Sequence, residues 1–298
     1  MHDKPEKPTD TRHIENMKKT LFFLLALAMI SGSAEPPQSI TLESGNVRIR
    51  LDAKKRWNVN RIEWKNQLLG VDSPGAHYGI VYKPADGKYP IGTGHTESGI
   101  GEEVISLKIY ADGKEVTPSE KQTVKGNKIR IEKISRIADF SARSSTVLEN
   151  DILRETAEVS AEKDVRVDHI YFIMHPWSPR FDKFHAVLAD GKKIDVTFKS
   201  DNSFPSRKFA PSSAWYEAKT GLVAVTFIRN IEGRKSPMRF LWDRKNYRKD
   251  YLCDYYRSTF PAGKKVIYEA VTGFFRQPDA GKWTAEAESM MKNLSQIR

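Results

Sequence analysis

The sequence predicts an all-β protein, a large antiparallel β-sandwich with one short C-terminal helix. Three observations predict it. From Ile40 to Phe275, apolar and polar residues alternate with period two in run after run, the pattern of strands that bury one face. Turn-forming pairs fall between many of these runs: Asp86-Gly87, Asp112-Gly113, Gly126-Asn127, Asp190-Gly191 and Ala262-Gly263. Helical periodicity is confined to the end of the chain. No fixed-period repeat and no low-complexity linker interrupts the pattern, so residues 35–298 read as one large domain rather than two small ones.

The chain opens on a segment that belongs to no fold. Residues 17–34 read as a bacterial export signal. Lys18 and Lys19 supply its positive end, Leu21 to Ile30 an apolar stretch too short to span a bilayer, and Gly32 and Ala34 the small residues that precede cleavage. Residues 1–16 are polar, carry two prolines and read as a non-structural extension. The expectation is a secreted or periplasmic protein with no integral membrane segment.

That destination constrains the chemistry. Removing residues 1–35 takes away five basic and five acidic side chains, so residues 36–298 keep the net charge of +11. An exported protein meets no genome, which excludes nucleic acid as partner. The charge then points to polyanions outside the cytoplasm, such as uronic-acid or sulfated glycans or an anionic envelope, alongside the plain reading of solubility charge. Cys253 is the only cysteine, so no intramolecular disulfide is available. The core must hold the fold together, and a chain of this size can bury roughly three quarters of the surface its unfolded form exposes.

The strands follow in order. Val47-Arg48-Ile49-Arg50-Leu51 puts three apolar side chains on one face and two arginines on the other. Further runs are Val59 to Trp64, Val104 to Tyr110, Lys128 to Ile134, Ala138 to Leu148 and Ile152 to Ser160. Val165 to Met174, Ile194 to Phe198, Leu222 to Ile228 and Val266 to Phe275 complete the set. At the end, Thr284 is positioned to cap a helix over 284–294, with Glu286 near its positive terminus.

Gly45 to Leu51, Asn60-Arg61-Ile62-Glu63-Trp64 and Asn66-Gln67-Leu68-Leu69-Gly70 form a strand, a strand with an apolar face and a short hairpin. Phe240-Leu241-Trp242-Asp243 and Phe260-Pro261-Ala262-Gly263, running on to Tyr268, have the form of closing strands with a Pro-Ala-Gly turn. In outline over residues 40–275, this resembles the galactose-mutarotase-like supersandwich domains. The resemblance implies a fold shared by sugar epimerases, polysaccharide lyases and non-catalytic domains of carbohydrate enzymes, and fold alone does not choose among them.

Two segments concentrate residues that carry chemistry. Ile91 to Glu103 holds four glycines, with His95 and Glu97 two positions apart, where a strand would put base and carboxylate on one face. The competing reading is a surface loop whose glycines serve turns. Asp168 to Phe181 holds His169 and His175, with His185 beyond, and regular alternation would set His169, Tyr171, Ile173 and His175 on one face. Trp177 is a candidate platform for a sugar ring and Arg180 a candidate partner for a carboxylate or sulfate. Structural roles for both histidines are the alternative.

His169-Ile170-Tyr171-Phe172 also resembles the His-x-Tyr-Phe of aldose epimerases. The resemblance implies a general-acid role for His169 and a late carboxylate base, for which Glu269 is the candidate. Ile173 and Met174 stand where that pattern continues Asn-Leu.

Arg239 to Tyr251 interleaves aromatic and basic residues, and Tyr255-Tyr256-Arg257 follows. β-Elimination from a uronate needs a cation against the carboxylate, a base for the C5 proton and an acid for the departing oxygen. Arg239 or Arg257, His175 or His95, and Tyr247 or Tyr251 are the respective candidates, with Trp242 as a stacking surface. The alternative makes these aromatics core and these charges solvated.

No Gly-x-Gly-x-x-Gly or P-loop lies between a strand and a helix, and no His-x-x-x-His, His-Glu-x-x-His or cysteine pair suggests a metal site. No cofactor is expected. The functional expectation is an exported protein acting on an acidic polysaccharide or oligosaccharide, with lyase-like chemistry ahead of epimerase or hydrolase chemistry. A non-catalytic glycan-binding protein is the alternative.

Overall fold

Alternation becomes strand pairing in the computed structural model, which describes residues 38–95, 97, 99–117 and 123–297. The expected export signal and the extension before it lie outside the described residues. Among those residues the chain forms β1 (Ser39–Ser44), β2 (Val47–Asp52), β3 (Asn58–Trp64), β4 (Gln67–Gly70), β5 (Val81–Pro84), β6 (Glu102–Ala111) and β7 (Lys114–Glu115). It continues with β8 (Thr123–Lys125), β9 (Lys128–Ile137), β10 (Phe140–Glu149), β11 (Ile152–Ala161), β12 (Val165–Trp177), β13 (Lys183–Val187) and β14 (Lys193–Thr197). Then come β15 (Ser212–Glu217), β16 (Leu222–Glu232), β17 (Met238–Asp243), β18 (Arg248–Asp254), β19 (Ser258–Phe260), β20 (Lys265–Arg276) and the helix α1 (Trp283–Gln296).

The strands make two sheets. The first runs β17-β18-β12-β4-β3-β2-β1-β8, with β5 and β19 also pairing with β12. The second runs β14-β13-β15-β16-β20-β11-β10-β9-β6-β7. Pairing is antiparallel except where β1 meets β8. Alternating burial along β1 and β2 shows the predicted one-sided faces. Ile40, Leu42, Ile49 and Leu51 pack in one core with Ile129, Ile131, Leu148 and Leu153 of the second sheet, and Trp177, Trp215 and Phe274 belong to the same cluster. Each fully buried aliphatic side chain contributes about 1.5–3 kcal/mol from its removal from water.

Helix α1 covers the outer face of the second sheet. Trp283, Ala287, Met291 and Leu294 pack on Tyr216, Val223, Val225 and Val271. The Trp283 and Tyr216 rings stack at 4.8 Å and 9°. That contact draws the helix start back to Trp283, with Lys282 at the N-cap and no side-chain cap. Thr284 therefore lies inside the first turn instead of capping it.

Two irregularities decide which side chains can meet. In β12 the register against β18 shifts between Tyr171 and Ile173, leaving Phe172 as an extra residue. Parity flips there. His169 and Tyr171 face outward, but His175 turns inward, is 1 % exposed and meets Glu155 of the opposite sheet at 2.5 Å. The expectation that His169 and His175 share a face is thereby overturned.

The second is a division of labour along β17 and β18. Inward-facing Arg239 pairs with Asp250 at 2.5 and 2.7 Å, both side chains being 2 % exposed, and inward-facing Arg248 pairs with Asp243. Buried charges need such partners, because an unpaired one costs several kcal/mol. Outward-facing residues of the same strands are Phe240, Trp242, Lys249 and Tyr251, and Phe240 and Tyr251 pack with Met174 and Tyr171.

Candidate functional site

The outer face of the first sheet carries a floor of aromatic rings. Tyr171 lies 5.3 Å from Tyr251 and 5.9 Å from Phe240, centroid to centroid. Around this floor three histidines gather from three separate segments. His169 comes from β12, its ring 4.5 Å from that of Tyr171. His77 comes from the connection between β4 and β5, where its backbone N–H donates to Tyr251 Oη at 3.2 Å. His95 comes from the glycine-rich segment before β6, its ring 3.9 Å from that of His77.

The glycine-rich segment is held by its backbone. Gly92 has φ +118°, and a Cβ there would sit 2.4 Å from the carbonyl oxygen of Ile80, so only glycine lets the two backbones come this close. A tight turn then bridges Gly92 to His95. Thr93 N–H donates at 3.0 Å to Glu102, a carboxylate 4 % exposed at the start of β6. Glu102 also accepts from Asn58 Nδ2 at 3.0 Å, Lys133 Nζ at 2.6 Å and Ser135 Oγ at 2.8 Å. This buried network ties the segment carrying His95 to both sheets.

Two of the histidines form dyads with carboxylates. Nδ1 of His95 lies 3.2 Å from Glu97 Oε2, and Nδ1 of His169 lies 3.0 Å from Asp168 Oδ2. A carboxylate on Nδ1 fixes the ring and its tautomer, leaving Nε2 to accept or donate a proton. Among the described residues no hydrogen bond is made by either Nε2. Burial lowers the pKa of both imidazoles against the opposing pull of their carboxylates. His77 is lowered to about 3, first by burial and then by the charges of His95, Lys55 and Lys249, and its buried Nδ1 has no hydrogen-bond partner among the described residues. At neutral pH all three are uncharged bases.

Lys249 is the cation they share, since its charge acts on His77, His95 and His169 alike. Its ammonium lies 4.4 Å from the centre of the Trp242 ring and 4.9 Å from that of Tyr251. Burial, then the neighbouring Arg244, brings its pKa down to about 8. It is still charged at neutral pH. A site with two oriented neutral imidazoles, one ammonium and aromatic walls can hold an anion and move two protons.

The expected site residues divide clearly. His95, Glu97, His169, Tyr247, Tyr251 and Trp242 come together on this face. Tyr247 Oη donates to the Gly75 carbonyl at 2.6 Å, which commits its proton and makes it a brace rather than an acid. Arg257 reaches the rim, 3.7 Å from Asp168 with its side chain 74 % exposed. His175 does not join them, being buried against Glu155. Trp177, expected as a stacking platform, is fully buried beside Phe181 and Trp215. Arg180 is held by Glu217 at 2.7 and 2.8 Å. Arg239 is consumed by Asp250 in the interior. Glu269 faces outward from the second sheet, paired with Arg229 and within 3.8 Å of Arg154 near the end of α1, and cannot serve as a base for His169.

His77, Lys249 and Asp168 were not singled out from the sequence. Lys249 and Tyr251 sit at i and i+2 on one strand, a signal present in the sequence once β18 is recognised. His77 has no periodic pattern around it. Among the described residues no group of three or more His, Cys, Asp or Glu side chains is arranged to hold a metal ion, and no helix is long and apolar enough to cross a membrane.

No family model matches the sequence, and no curated protein is significantly similar to it. Solved structures are similar in fold. The Slr1438 protein of Synechocystis superposes with a TM-score of 0.51 at 11 % identity, over 83 % of this chain and 99 % of that one. A candidate aldose 1-epimerase from Klebsiella pneumoniae gives 0.50 at 11 % identity, over 83 % and 81 %. The α-N-acetylgalactosaminidase NagBb of Bifidobacterium bifidum gives 0.52 at 8 % identity as its quadruple mutant, over 87 % of this chain and 39 % of that larger one. The likeness is one of fold, a large antiparallel β-sandwich of the kind the strand pattern led us to expect.

Proposed function

We propose that this protein is an exported carbohydrate-active enzyme that acts on an acidic glycan by β-elimination at the outer face of the first sheet. The observation that carries the reading is the pair of carboxylate–histidine dyads, Glu97–His95 and Asp168–His169, both within reach of the charge of Lys249. In this reaction Lys249 pairs with the uronate carboxylate, so charge that develops on it as the adjacent C–H bond breaks is neutralised. The Nε2 of one dyad takes the C5 proton, the C4–O bond breaks as the C4–C5 double bond forms, and the other dyad, in the minor fraction of molecules that hold it protonated at neutral pH, gives a proton to the departing oxygen.

The fold supports a sugar as ligand by analogy only, through its likeness to a candidate aldose 1-epimerase and an α-N-acetylgalactosaminidase. The basic balance of the chain, together with the export signal expected over residues 17–34, favours an anionic glycan outside the cytoplasm.

The test uses purified mature protein with uronate polysaccharides, following unsaturated-uronate absorbance and reducing ends together. Absorbance that is lost in His95→Ala and His169→Ala, but kept at lower rate in Glu97→Gln and Asp168→Asn, is the expected result. Reducing ends without absorbance would mean hydrolysis, and a change in optical rotation of free sugars alone would mean epimerase-like chemistry. Binding without products would leave a glycan-binding protein. Each of these three outcomes overturns the elimination.

A further inference from the structure

We infer that the candidate site continues along the outer face of the first sheet, past the histidines, into a second anion-binding subsite on Phe204, Arg207, Trp242 and Arg244, so that the ligand is a chain of at least two negatively charged sugars. This rests on the reading above that the site takes an acidic glycan. It concerns the length and charge of the ligand, not the reaction.

The subsite begins at the free edge of β17. The segment 199–206 is fastened along that edge by a set of backbone bonds. Asp243 Oδ2 accepts from the amides of Lys199 and Ser200 at 2.7 and 2.8 Å, and its own amide donates to Ser203 O at 2.9 Å. Leu241 N–H donates to Ser206 O at 3.0 Å, and Trp242 Nε1 donates to Asn202 O at 3.0 Å. Phe204 is thus presented by a fixed backbone. It is 42 % exposed, and its ring stacks on Trp242 at 4.5 Å and 19°. An exposed aromatic held in a set position is a surface made for contact, since no burial explains it.

Cations lie on these rings in a row. Lys249 sits 4.4 Å and Arg244 4.3 Å from the Trp242 ring centre, and Arg207 sits 4.8 Å from that of Phe204. Among the described residues none of the three has a carboxylate within 4.0 Å. The contrast within the same strands is sharp, since Arg239 and Arg248, facing inward, each have an aspartate. Inward cations are neutralised by the fold. Outward cations rest on quadrupoles that steady them without cancelling their charge. Lys249 answers one anionic group beside the histidines. Arg244 stands beside Lys249 over the same Trp242 ring, and Arg207, on the Phe204 ring stacked against it, answers at least one more. Carboxylate and sulfate share the chemistry this row selects.

The experiment is calorimetric titration of the full mature chain with monomeric and tetrameric probes: galacturonate, mannuronate, sulfated galactose and neutral galactose oligomers. The comparison is with a Phe204→Ala/Arg207→Gln variant, both positions being exposed. Wild type should bind a uronate or sulfated tetramer at least tenfold more tightly than its monomer. Added salt should weaken that binding. The variant should bind tetramer and monomer alike. Length dependence that survives in the variant, equal binding of monomer and tetramer by wild type, or equal binding of neutral and charged tetramers overturns the subsite. Preference for sulfated over uronate tetramers supports the subsite while removing the elimination reading. If wild type binds none of the charged probes, the acidic-glycan reading and the subsite both fail.

Discussion

Thr93 N–H donates to Glu102 at 3.0 Å, so the turn that presents His95 hangs from a carboxylate buried between the sheets. The same carboxylate neutralises Lys133, whose pKa burial lowers and Glu102 pulls back. One buried side chain therefore serves the core and the site together.

Glu102→Gln removes the partner of a buried ammonium and should cost about 3–5 kcal/mol of stability, read from the urea midpoint at unchanged m-value. Glu102→Leu combined with Lys133→Met should recover much of that loss. Hydrogen exchange at Thr93 should stay fast in the repaired protein, because its acceptor is gone. Exchange as slow as in wild type would show that Glu102 does not hold the turn.

Lys249 predicts an alkaline limit for anion binding. Because its pKa is about 8 in the folded protein, affinity for a charged ligand should fall as pH rises through that value. Lys249→Met should lose about tenfold or more in affinity at pH 7 and no longer respond to pH there. An alkaline limit unmoved in this variant would assign it to another group.

His77 predicts acid sensitivity. Its folded pKa of about 3 lies below the unfolded value of about 6.5, so the unfolded chain binds the extra proton between those values. Stability is then fully present above pH 6.5 and falls as the pH drops towards 3, by on the order of a few kcal/mol. His77→Gln should flatten this slope, measured as urea midpoints between pH 4 and pH 7. A slope equal to that of wild type would place the acid-sensitive group elsewhere.

His175→Ala separates structure from function. It leaves Glu155 without its 2.5 Å partner between the sheets, and should lower stability by about 3 kcal/mol or more. At temperatures where the variant is folded, ligand affinity should match wild type. A changed affinity would bring His175 back into the site.

The sheets were legible because alternation needs only neighbouring residues. Val47 to Leu51 and Ile152 to Ser160 lie within strands almost as read. The site was legible in part, since His95, Glu97, His169, Trp242 and Tyr251 are grouped as their types suggested. The errors along β12 have a common cause. Period-two counting holds only while the register holds, and the extra Phe172 in β12 reverses every position after it, sending His175 and Trp177 inward. Glu269 fails for a different reason, because alternation tells which face a side chain takes but not which of the two outer faces carries the cleft. His77 belongs to no strand, so only the tertiary contact with His95 and Tyr251 reveals it.

The strict alternation of β17 and β18 also restricts how this protein can misfold. A slip of one residue between them would drive Lys249 and Trp242 into the core and expose Arg239 and Asp250 on the cleft. The same slip would destroy the scaffold and the binding surface at once. Chains that pair these strands wrongly therefore have no route to a stable, soluble, empty-handed molecule. Recovery of soluble protein should itself serve as a measure of a correctly assembled cleft.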